Sequence, residues 1–272
     1  MGTQTTLGFI GAGKLAGSVI RGLIRAKYCA PEDIIAGEPN DTLRALLEKE
    51  TGVQVTAENA DVAEKSDFIL LGVKPMVVLP VIKEISDALR GKLVASLAAG
   101  IRLESMEALS GARFLRVMTN TPSAIMRGAT AFAPGSRTTM EDLALTKKIF
   151  GAIGVALQVR EENIDAVTAL AGSGPAFVYS VIEALADGGK ETGLPAEIAL
   201  ALATQTVLGA SQLAAESNLS PEELRLMVIT PGGTTAAGLE AMKKHATSEG
   251  LIAAVQAAAA RGAEMSKPAA SR

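Results

Sequence analysis

Over the first 160 residues, short apolar runs alternate with segments of helical period. Leu7–Ile10 predicts a strand ending at Gly11. Leu15, Val19, Leu23 and Ala26 then recur on one face, which predicts a helix from Lys14 to Lys27. Ile34–Gly37 predicts a second strand, Asp41–Lys49 a second helix and Val53–Val55 a short third strand. Asp67–Val73 is a nearly unbroken apolar run, the pattern of a strand buried on both faces of a parallel sheet. Pro75 opens a helix to Leu89, and Leu93–Leu97, Arg113–Val117 and Ala129–Ala133 predict further strands. Strands separated by helices imply parallel pairing through right-handed crossovers. The expected fold is therefore an α/β Rossmann domain with a doubly wound, mainly parallel sheet.

After Arg160 the alternation stops. Residues 161–272 predict helices only, rich in Ala and Leu over Ala196–Glu216 and Ser248–Met265. Glycine and proline punctuate at Gly172–Pro175, Gly188–Pro195 and Pro231–Gly233. The change of period predicts a dinucleotide-binding domain over 1–160 and an all-α domain over 161–272. Pro268–Arg272 predicts a loose tail. The Ala/Leu stretches have apolar faces too wide for one helical layer to cover, which predicts a homodimer.

Composition narrows the chemistry. A net charge of −3, two Tyr and no Trp argue against a nucleic-acid partner, which needs a basic face and stacking rings. The one cysteine, Cys29, cannot close an internal disulfide, and with one histidine, His245, no metal site is expected. Any Ser–His or Cys–His pair would need that same His245. The hard chemistry then falls to a borrowed cofactor. The apolar runs Phe68–Val73 and Leu93–Leu97 are far short of the roughly 20 residues that span a bilayer. Met1–Thr6 lacks the basic flank of a signal peptide. No membrane contact is expected, and the cytoplasm is the expected compartment.

The sharpest local signal is Gly8-Phe9-Ile10-Gly11-Ala12-Gly13-Lys14-Leu15-Ala16, a G-x-G-x-x-A turn between strand and helix. Gly11 permits the tight turn, Gly13 lets a pyrophosphate approach the backbone, and Ala16 permits close helix–strand packing. The helix start offers N–H groups to phosphate oxygens. The alternative is a structural glycine turn. Glu38, at the end of the second strand, can accept hydrogen bonds from the adenosine ribose and repel a 2′-phosphate, or can be a solvated loop carboxylate. No arginine follows it directly, and Arg44 stands more than a helical turn away. Gly72-Val73-Lys74-Pro75, Ala98-Ala99-Gly100 and Asn120 follow later strands at the same sheet edge, where ligands bind in such folds. Each also reads as an ordinary β–α turn.

The helical half carries Leu170-Ala171-Gly172-Ser173-Gly174-Pro175-Ala176, Ala184-Leu185-Ala186-Asp187-Gly188-Gly189 and Pro231-Gly232-Gly233-Thr234-Thr235. Together with the glycine turn, V-K-P and N-T-P, these resemble the pyrroline-5-carboxylate reductase family along essentially the whole chain. The resemblance implies NAD(P)H-dependent reduction of the cyclic imine 1-pyrroline-5-carboxylate to proline. It also implies a Rossmann domain joined to a helical dimerisation and substrate-binding domain, with dimers that assemble into a decamer. The active site would lie between the cofactor domain and helical segments, with contributions from a dimer partner. The candidate cofactor residues, for NADP or NAD, are Ile10, Gly11, Ala12, Gly13, Lys14, Leu15, Glu38, Asn59, Gly72, Val73, Lys74, Pro75, Ala98, Ala99, Gly100 and Asn120. Glu38 slightly favours NADH. The candidate substrate residues are Ser173, Gly232, Gly233, Thr234 and Thr235, with Thr235 nearest the imine nitrogen as the catalytic group. For each hydroxyl the alternative is a helix cap.

The chain departs from the family pattern at four places. Arg225-Leu226 stands where a Lys-Asp pair is common, Ile229-Thr230 precedes the P-G-G loop, Ser220-Pro221 replaces a His-Pro pair, and Pro39 follows Glu38. The rival enzymes, β-hydroxyacid dehydrogenases, rely on a lysine in the first interdomain helix, and no lysine lies between Ile149 and Gly189. A non-catalytic dinucleotide sensor would have no need of the P-G-G-T-T loop.

Overall fold

A computed structural model describes residues 5–265, so the expected tail at Pro268–Arg272 lies outside the described residues. The chain runs β1 (Leu7–Ile10), α1 (Lys14–Arg25), β2 (Ile34–Gly37), α2 (Asp41–Thr51), β3 (Gln54–Thr56), α3 (Asn59–Lys65), β4 (Phe68–Leu71), α4 (Pro75–Glu84), β5 (Leu93–Ser96), α5 (Leu103–Glu107), β6 (Arg113–Met118), β7 (Gly128–Pro134), α6 (Met140–Gly151) and β8 (Gly154–Gln158). The strands form one sheet in the order β3-β2-β1-β4-β5-β6-β7-β8, parallel except at β6–β7. The antiparallel pair follows from its connection: β6 and β7 are joined by a short 3₁₀ turn, Thr121–Ile125, and not by a crossover helix.

Period 2 explains why β4 reads as one apolar run. Phe68 and Leu70 enter the core on one face of the sheet with Leu23, Leu47 and Phe150, while Ile69 and Leu71 enter the core on the other with Val62, Val78 and Phe114. Helix α4 ends at Glu84, five residues before Leu89, because the chain continues through single hydrogen-bonded turns that bury Ile85 and Leu89.

By Cα proximity the described residues divide into two compact units, residues 5–173 with 258–265, and residues 174–257. The sheet ends at Gln158, and the first unit runs on to Ser173. There α7 (Ile164–Val167) and a π-helical turn, Thr168–Gly172, pack against β6, with Ile164 and Val167 on Met118. The helices that follow are α8 (Gly174–Glu191), α9 (Ala196–Glu216), α10 (Pro221–Met227), α11 (Thr234–Lys244) and α12 (Thr247–Met265), whose last turns belong to the first unit. In the second unit α8 packs on α9. One expectation is corrected here. Glu161–Glu191 and Ala196–Glu216 are long and apolar enough to cross a membrane by length and composition. Both are diluted by Ala and Gly, so neither shows as a continuous run of large apolar residues.

Candidate active site

The dinucleotide cradle is built at the carboxyl edge of β1, β2, β4 and β5. Gly11 has φ +82°, and a Cβ there would lie 2.6 Å from Val73 Cγ1. Its N–H donates to the Gly37 carbonyl at 2.9 Å, which locks the turn to β2. A Cβ on Gly72 would lie 2.6 Å from the Ala16 Cβ, so the small pair sets how closely α1 crosses β4. Gly13 is the N-cap of α1 and supplies no side-chain cap to the N–H groups of the first turn, Lys14 and Leu15 among them. Nothing stands within 4 Å of a Cβ placed on Gly13. An uncapped 12-residue helix facing open space fits a pyrophosphate, by hydrogen bonding and by the helix dipole.

The other predicted cofactor residues are brought to the same edge. Ile10 is buried at the end of β1, followed by the partly exposed Ala12. The Asn59 Oδ1 lies 3.4 Å from the Cβ position of Gly37. Lys74 is the exposed N-cap of α4, with Pro75 at its first position. After β5, Ala98 is buried, Ala99 packs beside Met118, and Gly100 takes φ +77°. Asn120 is different: both ends of its amide are engaged by backbone groups, the Ala129 N–H and the Ala171 carbonyl.

The end of β2 holds a residue that sequence reasoning placed too far away. Arg44 Nη1 donates to the Glu38 carbonyl at 2.8 Å, and Nη2 pairs with Asp41 Oδ1 at 2.5 Å. Side chains in a helix lean toward its N-terminus, so an arginine in the first turn of α2 folds back over the β2–α2 loop. Glu38 itself is turned onto that loop, with Oε1 accepting the Asn40 N–H at 3.1 Å. Arg44, more than a helical turn from Glu38 along the chain, thus reaches back to its backbone. The available signal was Asp41 and Arg44 three apart on a helix start.

The second unit holds the P-G-G-T-T loop. Gly232 has φ +71°. Gly233 is the N-cap of α11, again without a side-chain cap, and a Cβ there would collide with Thr230 Oγ1 at 2.2 Å. Thr230, not singled out from the sequence, therefore shapes the loop. Thr234 is exposed and Thr235 half-buried in the first turn. The one histidine, His245, caps the far end of α11, about 16 Å along the axis from Thr234 at 1.5 Å per residue. The Ser220-Pro221 departure has a local reason: Ser220 caps α10 in a reciprocal box with Glu223. Ser173 closes the π-helical turn of the first unit, its N–H donating to the Thr168 carbonyl at 2.9 Å. No cluster that could hold a metal ion occurs among the described residues.

Comparison with known proteins identifies the family. Residues 161–265 match the family model for pyrroline-5-carboxylate reductase dimerisation, and residues 6–100 match that for NADP oxidoreductase, coenzyme F420-dependent. The pyrroline-5-carboxylate reductase of Pisum sativum is 42% identical over 263 residues, 96% of each chain. That of Methanosarcina acetivorans is 40% identical over 264 residues, 96% of this chain and 98% of the relative. Among solved structures, the pyrroline-5-carboxylate reductase of Coxiella burnetii superposes with a TM-score of 0.89 at 34% identity, over 97% of this chain and 99% of the other. The Plasmodium falciparum enzyme with NADP bound superposes with a TM-score of 0.88 at 28% identity, over the same shares. On this identity and coverage, the chain belongs to the pyrroline-5-carboxylate reductase family.

Proposed function

We infer that this protein is an NAD(P)H-dependent oxidoreductase that reduces 1-pyrroline-5-carboxylate to proline, the last step of proline biosynthesis. The observation that carries the reading is the pair of uncapped helix starts. That of α1 faces open space beside Gly13, and that of α11 combines Gly233 with two threonine hydroxyls. The first suits a pyrophosphate. The second suits the substrate carboxylate, an anion held by neutral donors.

When bound, the dinucleotide supplies the hydride that reduces the C=N carbon. Gly11, Gly13 and the first turn of α1 hold the phosphates, and Ala98, Ala99 and Gly100 offer a flat backbone surface to the ring. Gly232, Gly233 and Thr234 bind the carboxylate. Thr235 directs its hydroxyl at the imine nitrogen and stabilises the protonated form, the better hydride acceptor. His245 is at the wrong end of α11 for this task. Ser173 adds a further hydroxyl to the substrate. The purified protein is expected to oxidise NAD(P)H only when the imine is supplied, with proline as product. Turnover of a 3-hydroxy acid in place of the imine would refute the reading.

NADH is proposed as the better reductant by a modest margin. A 2′-phosphate beside Glu38 meets like charge, and Arg44 is already neutralised by Asp41 and the loop carbonyls. Glu38→Ser is expected to shift the NADPH/NADH ratio of kcat/KM toward NADPH by about tenfold, or about 1.4 kcal/mol. Arg44→Ala should move it the other way. An unchanged ratio in Glu38→Ser would place the carboxylate outside the ribose site.

The working unit is proposed to be a homodimer, with the decamer as its higher assembly. Support comes from the matched dimerisation model and from exposed Leu200, Leu202, Leu208 and Leu213 on α9. A dimer occupies these apolar helices without a bilayer. Light scattering at micromolar concentration should give at least a dimer mass, and a folded monomer would contradict this. The cytoplasm is the proposed compartment, in keeping with the buried, unpaired Cys29.

A further inference from the structure

From Arg116 onward, one face of β6 meets the segment that follows the sheet. Asn120 is in extended conformation, so the alternation of β6 continues through it, and Arg116, Met118 and Asn120 share a face. All three engage the segment 161–172. Arg116 is only 2% exposed and pairs with Glu161 at 3.3 Å and Asp165 at 3.1 Å. The same Glu161 oxygen accepts the Leu103 N–H at 2.8 Å, and Arg116 Nε is buried without a hydrogen-bond partner. A buried guanidinium is an expensive way to gain stability, and its use here is to fix position. Met118 packs on Ile164 and Val167, and its sulfur lies 3.2 Å from the Cβ position of Gly172.

Asn120 completes the series. In a continuous helix the Ala171 carbonyl would accept the N–H of residue 175, but that residue is Pro175, which has none. The carbonyl would be left without its helical donor just where the π-helical turn passes into Ser173. Asn120 Nδ2 takes the missing place, donating to the Ala171 carbonyl at 3.1 Å, while Oδ1 accepts the Ala129 N–H at 3.0 Å. The Thr119 hydroxyl, which bonds Ser123 and Thr130 at 2.9 and 2.7 Å, anchors the backbone beside it. We propose that Asn120 is a positioning residue for the reductase reaction: it replaces the donor that Pro175 lacks and thereby holds the turn that presents Ser173 to the substrate. This rests on the reductase reading above.

The test uses the full-length protein and four variants: Asn120→Asp, Asn120→Ala, Pro175→Ala and the double variant Asn120→Asp/Pro175→Ala. Asp is isosteric and keeps the acceptor for Ala129, but loses the donor to Ala171. Asn120→Asp is expected to lower kcat/KM for the imine about tenfold, the effect of one lost hydrogen bond, and Asn120→Ala, which loses the bond from Ala129 as well, at least as much, with the NAD(P)H Kd unchanged in both. Pro175→Ala restores a backbone N–H and should recover most of the loss in the double variant. Independently of turnover, hydrogen exchange at the Ser173 amide should accelerate in Asn120→Asp and slow again in the double variant. A rise of the NAD(P)H Kd matching the loss of kcat/KM would make Asn120 a cofactor ligand and overturn the proposal. Absence of recovery with Pro175→Ala would overturn it too. A wild-type protein inert toward the imine, with the exchange pattern as expected, would sink the reductase reading and leave the structural link standing.

Discussion

Thr235→Ala should lower kcat/KM for the imine by roughly ten- to a thousandfold, or about 1.4–4 kcal/mol, while leaving the NAD(P)H Kd unchanged. The argument starts from α11. Its N-cap is a glycine, so no side chain of the preceding residue satisfies the first-turn N–H groups. Thr235 is half-buried in that first turn. Its hydroxyl oxygen is the neutral group proposed to accept from the N–H of the protonated imine, and favouring that reactive form raises kcat/KM. Thr235→Ser keeps the hydroxyl and should recover most of the rate. The check is steady-state kinetics beside a direct cofactor titration. If cofactor affinity falls with activity, or the melting temperature drops by many degrees, Thr235 is a structural residue of the helix start.

What the sequence makes legible is what is set locally. β4 and the turn at Gly11–Gly13 follow from apolar periodicity and from the backbone freedom of glycine, and both stand where the pattern places them. β8 is a different case. It is an edge strand whose Val155 and Leu157 are 58% and 59% exposed, so its apolar positions do not mark a core face. Helix α3 buries only the adjacent Val62 and Ala63, too few for a helical period to show. Helix α6 carries a local signal of its own, Thr139 followed by Asp142 in a capping box, while its apolar positions mark no clear helical face. Within the site, the residues missed are those defined by reach. Arg44 folds back over Glu38, and Thr230 Oγ1 fills the space beside Gly233. Asn120 and Ala171, 51 positions apart, meet only because β6 and the π-helical turn pack together. Strand ends identified the edge of the sheet at which ligands bind, but the partners of each side chain are a property of tertiary packing.

The contrast between two glycines of the cradle gives the second large effect. Gly13→Val is expected to raise the NAD(P)H Kd by about a hundredfold or more, or about 2.7 kcal/mol, with little change in melting temperature. Gly13 has φ −61° and ψ −171°, a conformation open to any residue, and a Cβ there meets nothing within 4 Å beyond its own chain neighbours. The new side chain therefore costs the folded protein little. It occupies the approach to the N–H groups of α1, where the pyrophosphate must come close. Gly11→Ala should behave in the opposite way. At φ +82° and with Val73 Cγ1 2.6 Å from the new Cβ, the fold itself is strained, by about 1–3 kcal/mol for the backbone alone. Fluorescence titration with NADH and NADPH, paired with thermal melts of both variants, separates the two effects. A Gly13→Val protein that melts early yet binds the cofactor as wild type does would mean that the open space beside α1 is not the phosphate site.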